Sequence, residues 1–303
     1  MTPNTAASVR ARLLNQAKER QEEFGLFLVR FAVERFLYRL GASRFRERCV
    51  LKGAALLTLW MQDPYRASRD IDLLASGPDD AAAVREIVTE VCGILCPEDG
   101  LRFDLDSLVI DPIREAEKYR GQRAVLWAFL EKTKIRVQVD FGFGDVLTQG
   151  VEEVSYPTLL EALPAPRLRT YPRVTSTAEK FQAMVDLGRR NSRMKDFHDL
   201  WSLSGGFAFD GTALRTAVAA CFERRGTAWT PEVPDALTPS FYADAALQGL
   251  WEAYRRSGTP RVMPPAAFPE VGERLRTFLL PVRDSIVAGS PFTATWEAGG
   301  PWR

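Results

Sequence analysis

The sequence predicts an α+β protein, with an α/β mixed sheet in its N-terminal half and a helical C-terminal half. Three observations carry this. Apolar and polar residues alternate in short runs between about 48 and 170, the period of strands. From Ser176 onward the apolar spacing lengthens to three and four, the period of helices. Between these regions Pro157, Pro164, Pro166 and Pro172 interrupt any helix. The expected organisation is a mixed-sheet domain with N-terminal helices over 1–170 and a helical domain over 171–303, which suits a chain of 303 residues at roughly 150 residues per domain.

Each element follows in order. Val9, Leu13, Ala17, Phe24, Phe27 and Phe31 recur at helical spacing over residues 8–40, giving one or two amphipathic helices. CVLKGAALLTLWM (49–61) is apolar around Gly53 and reads as a short strand entering a helix. In RDIDLLAS, Asp70 and Asp72 alternate with Ile71 and Leu73, so on a strand both carboxylates share one face. Residues 79–95 read as a helix opening with acids, as its dipole favours. Residues 101–110, QRAVLWAFL and KTKIRVQVDFGF read as strands, the last two joined near Glu131–Thr133. Ile135, Val137 and Val139 form one face of that last strand, and Lys134, Arg136, Gln138 and Asp140 the other. Residues 151–173 are expected to be edge strands and loops. Ser176 and Glu179 have capping-box spacing ahead of a helix. NSR (191–193) interrupts it, MKDFHDLWSL resumes it, and helices follow over 211–225, 240–256 and 267–288. The tail PFTATWEAGGPWR is expected to be frayed or lightly docked.

Composition narrows the function class. Hydrophobic residues are 46% and charged residues 26%, which excludes a mostly disordered chain. Forty basic residues against 39 acidic give a net charge of +1, so only local clustering bears on nucleic acid. Cys49, Cys92, Cys96 and Cys221 match neither a disulfide framework nor a zinc pattern, and His198 is the only histidine. Reduced thiols in a cytoplasm are the simplest expectation. The N-terminal segment has no apolar core of a secretory signal, and no window resembles a membrane span, so no membrane partner is expected.

Asp70 and Asp72 are the strongest chemical signal. Two carboxylates two residues apart on a strand face repel unless a cation lies between them. They suit Mg²⁺, a hard ion that takes carboxylate oxygens and leaves positions for phosphates. Asp140, on the polar side of a neighbouring strand, is a third acid for a second metal or for proton transfer. Solvated strand acids are the plain alternative. Lys52 and Gly53 can bring backbone amides to a phosphate, though a helix-packing glycine is the simpler explanation of Gly53. Arg66 and Ser68 can hold phosphate oxygens, or form an ordinary polar turn after Pro64. From Arg167 to Asp196 eight basic residues, Lys180 and Arg193 among them, stand against three acidic ones. This cluster fits a triphosphate or an RNA backbone, and also a solvated helix face or an acidic partner. His198, beside this cluster, is assigned no role, since such a histidine is more often structural or exposed than catalytic.

In this order the pieces resemble the AbiEii/AbiGii family of nucleotidyltransferase toxins, which includes the MenT group and lies in the DNA polymerase β-like superfamily. The matching residues are KGAALL (52–57), RASRDIDL (66–73), VQVDF (137–141), TAEKFQAMVDL (177–187) and RMKDFHDLW (193–201), within about 45–205. The resemblance implies a nucleotidyltransferase-like core whose mixed sheet bears the acids, with a helical C-terminal region forming a basic cleft. It implies that Asp70 and Asp72 bind Mg²⁺ and nucleotide phosphates, that Lys180 contacts phosphate, and that Asp196 is the C-terminal catalytic-site aspartate. Ser68 lies where some members carry a modifiable hydroxyl. The turn Gly53-Ala54 departs from the Gly-Ser or Gly-Gly of the superfamily and lacks that hydroxyl contact to phosphate. Members studied as toxins transfer nucleotides, in some cases to the tRNA 3′ end, and are typically encoded with a neutralising antitoxin. The expected function is therefore a Mg²⁺-dependent transferase of NMP from NTP to an RNA acceptor, a tRNA 3′ end. The rivals are kinase-like phosphoryl transfer to a Ser or Thr, with Ser68 a candidate in cis, and a non-catalytic RNA- or protein-binding module.

Overall fold

The structure, a computed structural model, describes residues 4–61, 69–113, 121–145 and 147–303. The chain forms two compact units that exchange at the 144–151 and 170–171 joints.

The first unit opens with α1 (Thr5–Glu19) and α2 (Phe24–Ala42). The Asn4 side chain accepts from the Ala7 N–H at 3.1 Å and satisfies one of the orphan amides of α1. Val9, Leu13 and Ala17 make a single buried stripe on α1. By contrast α2 buries residues on most sides, because it packs on α1 and α4 as well as on two strands of the sheet, β5 and β7 in the numbering that follows. After β1 (Cys49–Lys52) and α3 (Ala55–Trp60) come β2 (Asp70–Ala75), α4 (Ala81–Gly93), β3 (Leu101–Pro112), β4 (Gly121–Leu130), β5 (Thr133–Phe143), β6 (Glu152–Ser155) and β7 (Arg167–Thr170). The helix expected over 79–95 is α4, and Asp80 caps it by accepting from the Ala83 N–H at 2.8 Å.

The seven strands form one mixed sheet in the order β3-β4-β5-β2-β1-β7-β6. Pairs β2–β5 and β1–β7 are parallel, and the others are antiparallel. Strands β4 and β5 join through Glu131 and Lys132, with Glu131 at φ 56°, the left-handed conformation that a two-residue hairpin of matching twist requires. Burial alternates along β5 as the sequence predicts, with Ile135, Val137, Val139 and Phe141 buried. Ile71 and Leu73 of β2 stand beside Val139 and Phe141 and bury the same face. The opposite face is therefore left to the polar residues.

Buried ions tie loops to α2. Arg39 donates to Asp99 at 2.7 Å and to the Ile94 carbonyl at 3.0 Å, holding the turn between α4 and β3. Glu34 accepts from the Leu159 N–H at 2.6 Å, and Arg35 donates to the Pro164 carbonyl at 2.9 Å. Burial pushes the Glu34 carboxyl up to about 7, although Arg35 lies 2.7 Å away.

The segment 151–173 departs from expectation. Only β6 is an edge strand; β7 lies inside the sheet, between β1 and β6. Its four residues are too few to show a period, but Leu168 and Thr170 are buried. Gly41 lets α2 approach it, since a Cβ there would sit 2.5 Å from the Arg167 carbonyl oxygen.

The second unit holds α5 (Arg173–Leu187), α6 (Met194–Gly206), β8 (Phe209–Asp210), α7 (Gly211–Arg224), α8 (Pro239–Tyr242), α9 (Ala245–Arg256), α10 (Phe268–Val287) and β9 (Thr295–Trp296). The capping box expected at Ser176 does not form. Helix α5 starts at Arg173, and the Pro172 carbonyl accepts from the Thr175 and Ser176 amides. Proline has the backbone angle of a helix entry, so the chain turns four residues before the expected cap. Ser176 is then buried, and Glu179 pairs with Arg225 at 3.1 Å instead. Aromatic rings fill the core: Phe197 lies 5.7 Å from Phe241 and 5.3 Å from Phe268, and Trp251 stacks on Phe268 at 5.0 Å. His198 is fully buried with Nδ1 2.8 Å from the Tyr254 hydroxyl, a structural histidine.

The tail is not frayed. Trp296 is 1% exposed, pairs with Phe209 across β8–β9, and donates its indole N–H to the Ser204 carbonyl at 2.7 Å. The Trp302 indole donates to the Phe278 carbonyl at 2.9 Å. Two tryptophans bury roughly 150–250 Å² each, enough to hold a segment without helical or strand period. Among the described residues no helix is long and apolar enough to cross a membrane. Trp296→Ala is expected to lower the free energy of unfolding by about 3–5 kcal/mol, read as an earlier urea transition of the helical unit.

Candidate active site

The register of the sheet assembles the polar face. Lys52 pairs with Asp72 across β1–β2, Asp72 with Asp140 across β2–β5, and Asp140 with Arg123 across β5–β4. Residues directly opposite in a ladder project to the same side. A row of alternating ends results: cation, carboxylate, carboxylate, cation. Asp70 lies two residues from Asp72 on that face and pairs with Gln138. All six side chains are half-buried.

Gly53 follows β1 with φ 71°. A Cβ at this position would lie 2.0 Å from Asp72 Oδ2 and 2.7 Å from Asp72 Cγ. The turn therefore packs directly against the Asp72 carboxylate, and both the backbone angle and the space demand glycine. Helix α3 spans only Ala55–Trp60 and lacks a side-chain cap, so the role of Gly53 evident here is to seat Asp72.

Asp140 has a different neighbour from the one its position suggests. Arg123 Nε donates to its Oδ1 at 2.8 Å and Arg123 Nη2 to its Oδ2 at 2.7 Å. The Gln138 amide donates to Oδ1 at 3.3 Å. Arg123 was not among the residues the sequence singles out. Its signal lies in the hairpin: counting outward from the turn at Glu131 and Lys132 pairs Arg123 with Asp140. Arg66 and Ser68 lie outside the described residues.

The donor set fits a hard cation at Asp70 and Asp72. Mg²⁺ is ordinarily held by one or two carboxylates, with water and substrate phosphates completing its shell. Asp140 does not extend the pair, and among the described residues no three His, Cys, Asp or Glu side chains form a metal cluster.

The second unit has its own ionic group. Lys180 on α5 donates to Asp196 Oδ1 at 2.9 Å and to Asp199 Oδ2 at 2.7 Å. Arg193 Nε donates to Asp196 Oδ2 at 2.7 Å. Asp196 and Asp199 are three apart in the first turns of α6, which puts both on the face toward α5. Their side chains are 2% and 0% exposed. Burial pushes the Asp196 carboxyl up, but Lys180 and Arg193 outweigh it and hold the group below the ordinary carboxylate range.

The basic stretch 167–196 is less bare than its composition implies. Arg169 pairs with Glu47, Arg189 lies 3.5 Å from Asp235, and Arg173 stacks over the Phe207 ring at 4.5 Å. With Lys180 and Arg193 already paired, Arg167, Arg190 and Lys195 are left as exposed cations. The neutralising acids Glu47, Asp199 and Asp235 come from outside the stretch, so a local charge count overstates the field.

The ionised Asp196 contributes stability that is complete above its unfolded value, near 3.8, and lost as pH falls through its lower folded value. The stability difference between the native chain and Asp196→Asn is therefore expected to shrink between about pH 5 and about pH 3, measured by thermal unfolding.

No curated protein matches the chain. Among solved structures, MenT4, a nucleotidyltransferase toxin from Mycobacterium tuberculosis, aligns at 21% identity over 89% of each chain with a TM-score of 0.59. That likeness is one of fold. JHP933 from Helicobacter pylori aligns at 13% identity over 85% of this chain and 91% of its own, with a TM-score of 0.49. A family model described as "Nucleotidyl transferase AbiEii toxin, Type IV TA system" matches residues 35–277. The match spans both the carboxylate-bearing sheet and the Lys180–Asp196 group, and the chain belongs to the AbiEii family of nucleotidyltransferase toxins of type IV toxin–antitoxin systems.

Proposed function

We propose that the enzyme transfers NMP from an NTP to an RNA acceptor, the 3′ end of a tRNA, with Mg²⁺ held on Asp70 and Asp72. The observation that carries this reading is the placement of those two carboxylates on one half-buried strand face, with Gly53 shaped around Asp72. The tRNA acceptor rests on the resemblance to family members that modify that end. Its setting is then the cytoplasm, where NTP and tRNA meet. An antitoxin protein is the expected partner of a type IV toxin.

The residues divide the work. Asp70 and Asp72 hold the metal, which supplies positive charge to the phosphate oxygens and favours the ionised acceptor hydroxyl. The acceptor oxygen bonds to the α-phosphorus, the bond from that phosphorus to the bridging oxygen breaks, and pyrophosphate leaves with the electron pair. The hydroxyl proton passes to water. Lys52, beside Asp72, offsets charge on the phosphates. In the helical unit, Lys180 and Arg193 serve as phosphate contacts, with Asp196 orienting both. For Lys180 this means exchanging one carboxylate contact for a phosphate oxygen. Exposed Arg167, Arg190 and Lys195 suit the RNA backbone.

Purified protein is incubated with tRNA and each α-³²P NTP in turn, with and without Mg²⁺. Label is expected in RNA only with Mg²⁺, falling about 100-fold or more in Asp70→Asn or Asp72→Asn. Label that persists in those variants overturns the assignment, and γ-³²P appearing in protein with none in RNA marks phosphoryl transfer instead. Gly53→Ala displaces Asp72, and a shift of about 1 Å is expected to cost roughly 100-fold in the same assay, with the melting temperature lowered by about a few degrees because alanine strains the turn.

A further inference from the structure

Helix α10 carries polar residues that the transfer reaction proposed above does not use. Glu270, Glu273 and Arg274 recur at three and four residues, so they share one face, while Val271, Leu275, Phe278 and Leu279 are buried in the core. That polar face lines a cavity of about 350 Å³, completed by Trp201 of α6 and by Trp296, Gly299 and Gly300 of the tail. Cavities of this size, apolar with a few convergent polar side chains, are the usual form of a small-ligand site.

The tail builds the floor. Trp296 is buried, and the Gly299 N–H donates to the Ser204 carbonyl at 2.9 Å. Gly300 has φ 80°, and a Cβ there would lie 2.5 Å from the Trp296 ring, so the turn rests directly against the indole. Trp201 is half-buried and adds a second indole. Arg274 is half-buried too and reaches the last turn of α6, where a Cβ on Gly205 would lie 3.2 Å from its Nη1. Glu270 and Glu273 are exposed. Among the described residues none of these three charged side chains is held by an ion pair or hydrogen bond.

Charge selects the occupant. The two carboxylates repel a phosphate, and the guanidinium repels a cationic side chain. A neutral ligand remains, with a flat apolar face and both kinds of hydrogen-bonding group on its edge. A nucleobase has that form, and unpaired bases stack on aromatic rings and are hydrogen-bonded along their edges. Adenine, cytosine and guanine each set an amino donor beside a ring acceptor, which matches a carboxylate beside a guanidinium; uracil has no amino group. Exposed Lys195 stands earlier on α6, about 9 Å along the axis from Trp201, so one helix offers a contact to phosphate and a contact to a base.

We propose that this cavity is a subsite for one unstacked, amino-bearing base of the RNA acceptor. The base lies on Trp201, its amino group donates to Glu270 or Glu273, and its neighbouring ring acceptor takes a hydrogen bond from Arg274. This rests on the RNA acceptor proposed above. It makes α10 and the tail an RNA-reading element, with the Gly299-Gly300 turn as part of the wall.

The test uses the full chain with indole ¹⁵N-labelled tryptophan and the four nucleosides in EDTA, so that neither metal nor phosphate takes part. The Trp201 indole resonance, assigned by its loss in Trp201→Phe, is expected to shift with adenosine, cytidine or guanosine, and uridine is expected to bind about tenfold or more weakly. A Trp201 resonance that no nucleoside moves, or uridine binding as tightly as the others, overturns the proposal. N-acetylarginine amide binding more tightly than any nucleoside also overturns it and marks a protein side chain as the occupant. Arg274→Gln, and Glu270→Gln together with Glu273→Gln, are each expected to weaken nucleoside binding about tenfold with the other indole resonances in place; unchanged binding in both overturns the proposal. In the α-³²P assay Arg274→Gln is expected to raise the KM for tRNA about tenfold with kcat near the native value, and an unchanged KM removes the cavity from the path of the RNA. No label in RNA from the native chain defeats the acceptor assignment instead, and the nucleoside titration still decides whether the cavity takes a base.

Discussion

Strand β2 lies between an antiparallel neighbour and a parallel one, and its register with both governs everything on the polar face. Side chains alternate along a strand, so a slip of one residue would bury Asp70 and Asp72 and expose Ile71 and Leu73. Ile71 and Leu73 are fully buried beside Val139 and Phe141. The apolar face thus locks the position of the carboxylates opposite. Packing of α2 on β5 and β7 closes the apolar side, and the polar side is what remains for chemistry.

That arrangement places like charges together and then limits the damage. Lys52 and Arg123 bracket the row, and Asp140 is neutralised by a fork of two short hydrogen bonds. Asp70 and Asp72 are the pair whose donor set fits a hard cation. The glycine turn after β1 leans on Asp72 so closely that no other residue fits without displacing it. Backbone shape and carboxylate position are one constraint here, since the positive φ of Gly53 brings the chain to the side chain it holds.

The helical unit solves a related problem by another route. Asp196 and Asp199 are buried almost completely, and a buried carboxylate without a partner is costly. Lys180 reaches both from α5, and Arg193 covers the second oxygen of Asp196. The group joins α5 to α6 whatever else it does. Around it the rings of Phe197, Phe241, Phe268 and Trp251 supply the apolar core, and the tail adds Trp296, bonded to Ser204 of α6, and Trp302, bonded to Phe278 in the middle of α10.

What the sequence determined by itself was local and periodic. The alternation of β2 and β5, a joint between two strands near Glu131–Thr133, the break at NSR and the shared face of Asp70 and Asp72 all follow from side-chain period and local breaks, which act within a few residues. What only the tertiary structure decided was long-range. The interior position of β7, the docking of Trp296 and the neutralisation of the 167–196 cations each depend on partners far along the chain. Arg123 lay between the two: a turn at Glu131 and Lys132 pairs it with Asp140, but only the folded geometry fixes that turn and shows both carboxylate oxygens taken. Period reveals which way a side chain points, whereas its partner is set by packing between segments that the period does not relate.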